Sequence, residues 1–176
     1  MDRDSILLFI ALALAITAAV LDVQQRRIPN WLTYPGIGLG VALRGLLFGW
    51  RGLGSAVAGC LLAGGVMFVF FVVRAMGAGD VKLMAAIGSL VGPKQAGVVL
   101  LATAICGGVM AIVYAIYRGR MWATIKNMGS VLRFHAWAGL QAHPDLNLDN
   151  PETLRMPYGL AIAAGTLYAF LAIWWS

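Results

Sequence analysis

Of 176 residues, 61% are hydrophobic and only 11% carry charge, and the mean hydropathy is +0.83. Soluble domains run nearer ~45–50% apolar and ~25% charged, so this composition excludes an ordinary soluble domain and indicates an integral membrane protein. The net charge of +6 does not indicate nucleic acid, because basic residues in a membrane protein chiefly report which loops face the cytoplasm.

Residues 6–21 form an apolar run of 16, close to a bilayer span once the flanks are added. A cleaved signal peptide would open with a positive segment, whereas this chain opens Asp2-Arg3-Asp4, so the run is expected to remain as a first span. It ends at Asp22, ahead of a short basic loop with Arg26 and Arg27. Pro29 is suited to open the next helix, and Trp31 and Tyr34 suit a membrane–water interface. A glycine-rich second span follows over 31–49, with Gly36, Gly38 and Gly40 as helix-packing surface and Arg44 snorkelling outward near its far end.

Residues 53–73 give a third span. Next comes Arg74-Ala-Met-Gly77-Ala-Gly79-Asp80-Val-Lys82, then a short apolar segment over 83–91 whose nine residues would also suit a re-entrant piece. Residues 95–117 and 158–175 complete the spans. Cys60 and Cys106 lie inside apolar runs without metal-ligand spacing and read as small packing residues.

Basic residues favour six spans in one domain covering 1–176. If the short segment spans, Arg26, Arg27, Arg74, Lys82, Arg118, Arg120, Lys126, Arg133 and Arg155 share one side, and Arg3, Arg44, Arg51 and Lys94 the other. If it re-enters, the division is five against eight, a weaker positive-inside bias. The expected fold is therefore all-α: a polytopic membrane helix bundle with about six transmembrane helices. The polar stretch 118–157 becomes a cytoplasmic loop, in which Trp122, Ile125, Met128, Val131 and Leu132 recur at the spacing of an amphipathic helix. His135 and His143 have no carboxylate or cysteine at ligand spacing and are expected at a surface or interface, with no metal site. No internal repeat is evident.

Seven acidic residues are present, and only Asp22 and Asp80 abut apolar spans. In the six-span arrangement Asp22 ends one span and Asp80 opens another on the same side. Carboxylates 58 positions apart thus arrive at one depth. An ionisable group at membrane depth is costly and therefore a functional candidate. Two such groups in a poorly solvated site come to share a proton, which suits one to take a proton from water while the other polarises a carbonyl. The flanking Gly77 and Gly79 allow tight turns, positive φ and close approach of a second backbone. The plainer alternative is that both aspartates cap helices or pair with Arg26, Arg27 or Lys82.

Gly77-Ala78-Gly79-Asp80 resembles the GxGD motif of intramembrane aspartic peptidases. Asp22, followed by Arg26-Arg27-Ile28-Pro29-Asn30, resembles the first-aspartate motif of the type IV prepilin peptidases. Pro157-Tyr158-Gly159-Leu160-Ala161-Ile162-Ala163 looks like that family's closing helix. The resemblance covers nearly the whole chain in order. It implies an endopeptidase of the bacterial cytoplasmic membrane that removes the short basic leader of pilin-like precursors at the cytoplasmic face, after a glycine. It further implies a catalytic pair of Asp22 and Asp80, substrate approach shaped by Gly77 and Gly79, and supporting roles for Pro29, Asn30 and Lys82. It implies no metal or organic cofactor. The bilayer and a pilin-like precursor would be partners, with pilus assembly machinery a further one.

Larger members of that family carry an extra cytoplasmic region with clustered cysteines, linked to N-methylation of the new pilin N-terminus. This chain has neither the cysteines nor the space, so it looks like the short, peptidase-only form similar to those of Flp/Tad pili, and methyltransferase activity is not expected. An archaeal preflagellin peptidase would use the same chemistry. The rival readings are a small proton-coupled transporter, in which both aspartates relay protons, and a non-catalytic subunit of a pilus or secretion assembly.

Overall fold

The computed structural model describes residues 2–119, 156–174 and, between them, 122, 127, 129–130, 133–134, 137–139 and 141. Among the described residues four helices can be given with their bounds: α1 (Arg3–Gln25), α2 (Asn30–Val72), α3 (Ala78–Tyr117) and α4 (Tyr158–Trp174). Among the described residues there is no strand. Asp2 starts α1 by accepting the amide of Ser5 at 3.0 Å, satisfying a donor that the first turn leaves free. The helix stops where Arg26 turns left-handed, at φ 51°. Pro29 then stands at the N-cap of α2 in extended conformation, so its missing N–H costs the helix nothing.

Three helices, α1, α2 and α3, are long and apolar enough to cross a membrane, and α4 is apolar but shorter. The expectation of about six spans is not met as separate helices. The second and third expected spans run together in α2, and the fourth and fifth in α3. Glycine explains both joins: α2 leaves helical geometry at Gly49 (φ 62°, ψ −146°) and α3 at Gly92 (φ 76°, ψ 173°), just before Pro93. Both values lie in the region that only glycine enters cheaply. At Gly49 the chain turns back on itself, since a Cβ on Gly52 would lie 2.7 Å from the carbonyl carbon of Arg44.

α2 packs most extensively on α3, and α4 touches both α1 and α3. The interior is built from small and aliphatic side chains such as Ala11, Ala15, Ala18, Leu83, Ile87 and Leu90, all essentially inaccessible. The outside is equally apolar: Phe9, Val20, Leu61, Phe68, Leu101 and Ile105 are exposed, as suits a surface that faces lipid. Gly36 and Gly40 do serve as packing surface, against Leu14 and Ala86 and against Ser89, but Gly38 has open space beside it.

Arg44 does not snorkel outward. It is buried at 7% exposure and fastens the two glycine breaks together. Its Nε donates to the Leu90 carbonyl at 2.8 Å, its Nη1 to Ser55 Oγ at 2.8 Å, and its Nη2 to the Val91 carbonyl and to Asp4 Oδ1, the latter at 2.9 Å. The carbonyls at the end of a helical segment have no partner within it, and the guanidinium fork supplies one. The expected amphipathic positions Ile125, Met128, Val131 and Leu132, together with His135 and His143, lie outside the described residues.

Candidate active site

Asp80 stands in the third position of α3, where Gly77 is the N-cap. Its carboxylate turns back, and its Oδ2 accepts the Gly77 amide at 3.2 Å. An acid here completes the helix start and lies at the positive end of the helix dipole. The capping alternative is thus part of the geometry of Asp80.

Neither motif glycine has a positive φ; Gly77 is extended, at φ −79° and ψ 151°. The left-handed residue in this loop is Arg74, at φ 56°, which ends α2 with Arg74 N donating to the Phe71 carbonyl and Ala75 N to the Phe70 carbonyl, both at 2.9 Å. Gly79 is needed for space: a Cβ would stand 3.0 Å from Ile28 Cβ. Gly77 is less confined, with only Asp80 Oδ2 nearby, 3.3 Å from an added Cβ.

Asp22 lies in the last turn of α1 and is buried at 8% exposure. Its Oδ2 accepts the backbone amide of Gly159, in the first turn of α4, at 2.9 Å. Asp22 is close enough for its charge to bear on Asp80, and the charge of Asp80 in turn bears on the Tyr158 phenol. Lys82, one of the cations considered as a partner for them, donates to Asn30 Oδ1 at 2.9 Å and rests over the Tyr34 ring at 4.8 Å.

Two cavities meet at the aspartates. One, of about 570 Å³, is polar and is bounded by Asp22, Asp80, Arg26, Arg27, Asn30 and Lys82, with Pro29, Gly77 and Gly79 also on its wall. The other, of about 1000 Å³, runs between α1, α3 and α4 past Met76, Met110, Val113, Tyr114 and Tyr158. Asp22, Arg26, Gly77 and Asp80 border both. Asp22, Pro29, Asn30, Gly77, Gly79, Asp80 and Lys82, the seven candidate residues of the sequence, all line the smaller cavity. Gly159 was legible only as part of the stretch resembling the family's closing helix, and nothing in its spacing signalled the contact with Asp22.

The model of the type IV leader peptidase family matches residues 8–112. The chain belongs to the type IV leader peptidase family. The match spans both aspartates and ends before α4, so the Gly159 contact is contributed from outside the matched part of the chain. Comparison with curated proteins and with solved structures gives no match.

Proposed function

We propose that this membrane protein is an aspartic endopeptidase that removes the basic leader of pilin-like precursors, after a glycine, at the cytoplasmic face of the bacterial inner membrane. The observation that carries this reading is that Asp22 and Asp80, 58 positions apart and both within the family match, border the same two cavities. A water held between them attacks the scissile carbonyl carbon. One carboxylate takes the water's proton while the other, protonated, gives its own to the carbonyl oxygen. The gem-diol intermediate then collapses as its C–N bond breaks: a carboxyl proton goes to the departing amine, and a hydroxyl proton of the intermediate returns to the other carboxylate. The larger cavity suits the precursor's apolar helix, and the polar cavity suits the extended leader junction beside Gly77 and Gly79. Pro29, Asn30 and Lys82 support the wall of the polar cavity.

The same reading places six crossings in the bilayer. At about 1.5 Å per residue, α2 is roughly 65 Å of helix, twice the ~30 Å hydrocarbon core, so reversal at Gly49 makes two crossings of it. The break at Gly92 does the same for α3.

The test is cleavage of a co-expressed pilin precursor by wild type, Asp22→Asn and Asp80→Asn. Shortening by wild type alone, with both variants inserted in the membrane, is the expected result. A variant that cuts at the wild-type rate removes that aspartate from the mechanism. A wild type that cuts no pilin precursor overturns the reading in favour of transport or assembly.

A further inference from the structure

We propose that Gly159 is a positioning residue of this site: its backbone N–H holds the Asp22 carboxylate in place, which makes α4 the third component of the catalytic centre. The catalytic consequence rests on the peptidase reading above; the contact itself does not.

Asp22 is in an unfavourable place if α1 is taken alone. A carboxylate in the last turn of a helix lies at the negative end of the helix dipole, beside carbonyls that run out of partners within the helix. The amide that meets it comes from the opposite kind of helix end. Gly159 is the second residue of α4, where backbone N–H groups have no partner within the helix and the dipole favours an anion. The bond to Asp22 Oδ2, at 2.9 Å and 137 positions away in sequence, gives the amide an acceptor and the carboxylate a donor in a buried setting.

The residue at 159 must also be small. A Cβ there would lie 3.0 Å from Asp22 Oδ2, 3.1 Å from Asp22 Cβ and 3.3 Å from Ala19 Cα, and two of those three atoms belong to the aspartate itself. A side chain at 159 therefore pushes the carboxylate that the amide is holding. Tyr158, the preceding residue, lines the larger cavity together with Asp80 and packs over Gly107, whose added Cβ would lie 2.9 Å from the phenol oxygen.

Gly159→Ala and Gly159→Pro separate space from hydrogen bonding. Both add a Cβ, but only proline removes the N–H, and proline is tolerated in the first turn of a helix. Gly165→Ala is the structural control: it lies further along α4, against Thr103 and away from Asp22. The expected result is a fall in kcat for precursor cleavage of about 10-fold in Gly159→Ala and about 100-fold in Gly159→Pro, with KM little changed. Gly165→Ala should instead lower the unfolding temperature while the folded fraction keeps its kcat. Equal kcat in the Ala and Pro variants, or losses at 159 that merely follow the folded fraction as at 165, overturns the positioning role.

A readout independent of cleavage accompanies this. In detergent-solubilised protein labelled with 15N-glycine, the Gly159 amide resonance, assigned by its disappearance in Gly159→Ala, should move upfield in Asp22→Asn. A resonance indifferent to Asp22→Asn overturns the proposal whatever the protein cleaves. If the resonance responds but the wild type cuts no precursor, the contact is supported and the peptidase reading is the one that fails.

Discussion

Gly59 of α2 and Gly88 of α3 cross backbone to backbone. An added Cβ on Gly59 would lie 2.9 Å from the carbonyl carbon of Gly88, and one on Gly88 would lie 2.7 Å from the carbonyl carbon of Gly59. With no water to expel from between helices in lipid, such close approach is a main source of helix association.

Gly59→Ala and Gly88→Ala are each expected to destabilise the protein by ~3 kcal/mol or more, at the upper end of overpacking costs, because the obstruction is backbone and cannot rotate away. Unfolding in mixed micelles checks this, with Gly65→Ala as a control that meets open space.

Arg44→Met should cost ~3–5 kcal/mol, the range for removing one partner of a buried charged cluster. It strands the Leu90 and Val91 carbonyls and Ser55 together. Arg44→Lys should recover only part of the loss, because a single ammonium cannot reach four acceptors spread around a planar fork. The comparison of the two unfolding midpoints separates lost charge from lost geometry.

Gly79→Ala should reduce precursor cleavage at least ~10-fold by forcing Ile28, and with it the first-aspartate loop, away from α3. Gly77→Ala should keep activity within ~3-fold, since residue 77 has an ordinary extended backbone and only the Asp80 carboxylate beside it. Side-by-side cleavage assays decide the order, and a reversed order would show that φ freedom matters more here than space.

Lys82→Met is expected to cost only about 1 kcal/mol, the sum of one polar contact to Asn30 and one partly solvated cation–π contact to Tyr34. Cleavage should persist at a reduced rate, as befits a wall residue. Complete loss of cleavage in folded protein would instead assign Lys82 a direct part in the chemistry.

The sequence alone determined the class of molecule, because an 11% charged chain cannot cover itself with a water-facing surface. It also isolated Asp22 and Asp80, the acids that abut apolar runs, and the residues around them that line the cavities. These were legible because charge in an apolar context is expensive and therefore conspicuous. Tertiary structure decided what is paid for by distant partners. Arg44 looked free to reach water, yet the helix breaks at Gly49 and Gly92 give it buried acceptors 46 and 47 positions away. Continuity through those glycines turned four expected spans into two helices, since hydropathy marks apolar length and not where a backbone reverses. The bond from Gly159 to Asp22 was the least legible feature. A backbone amide carries no residue-specific signature, and only the packing of α4 against α1 brings it to the carboxylate.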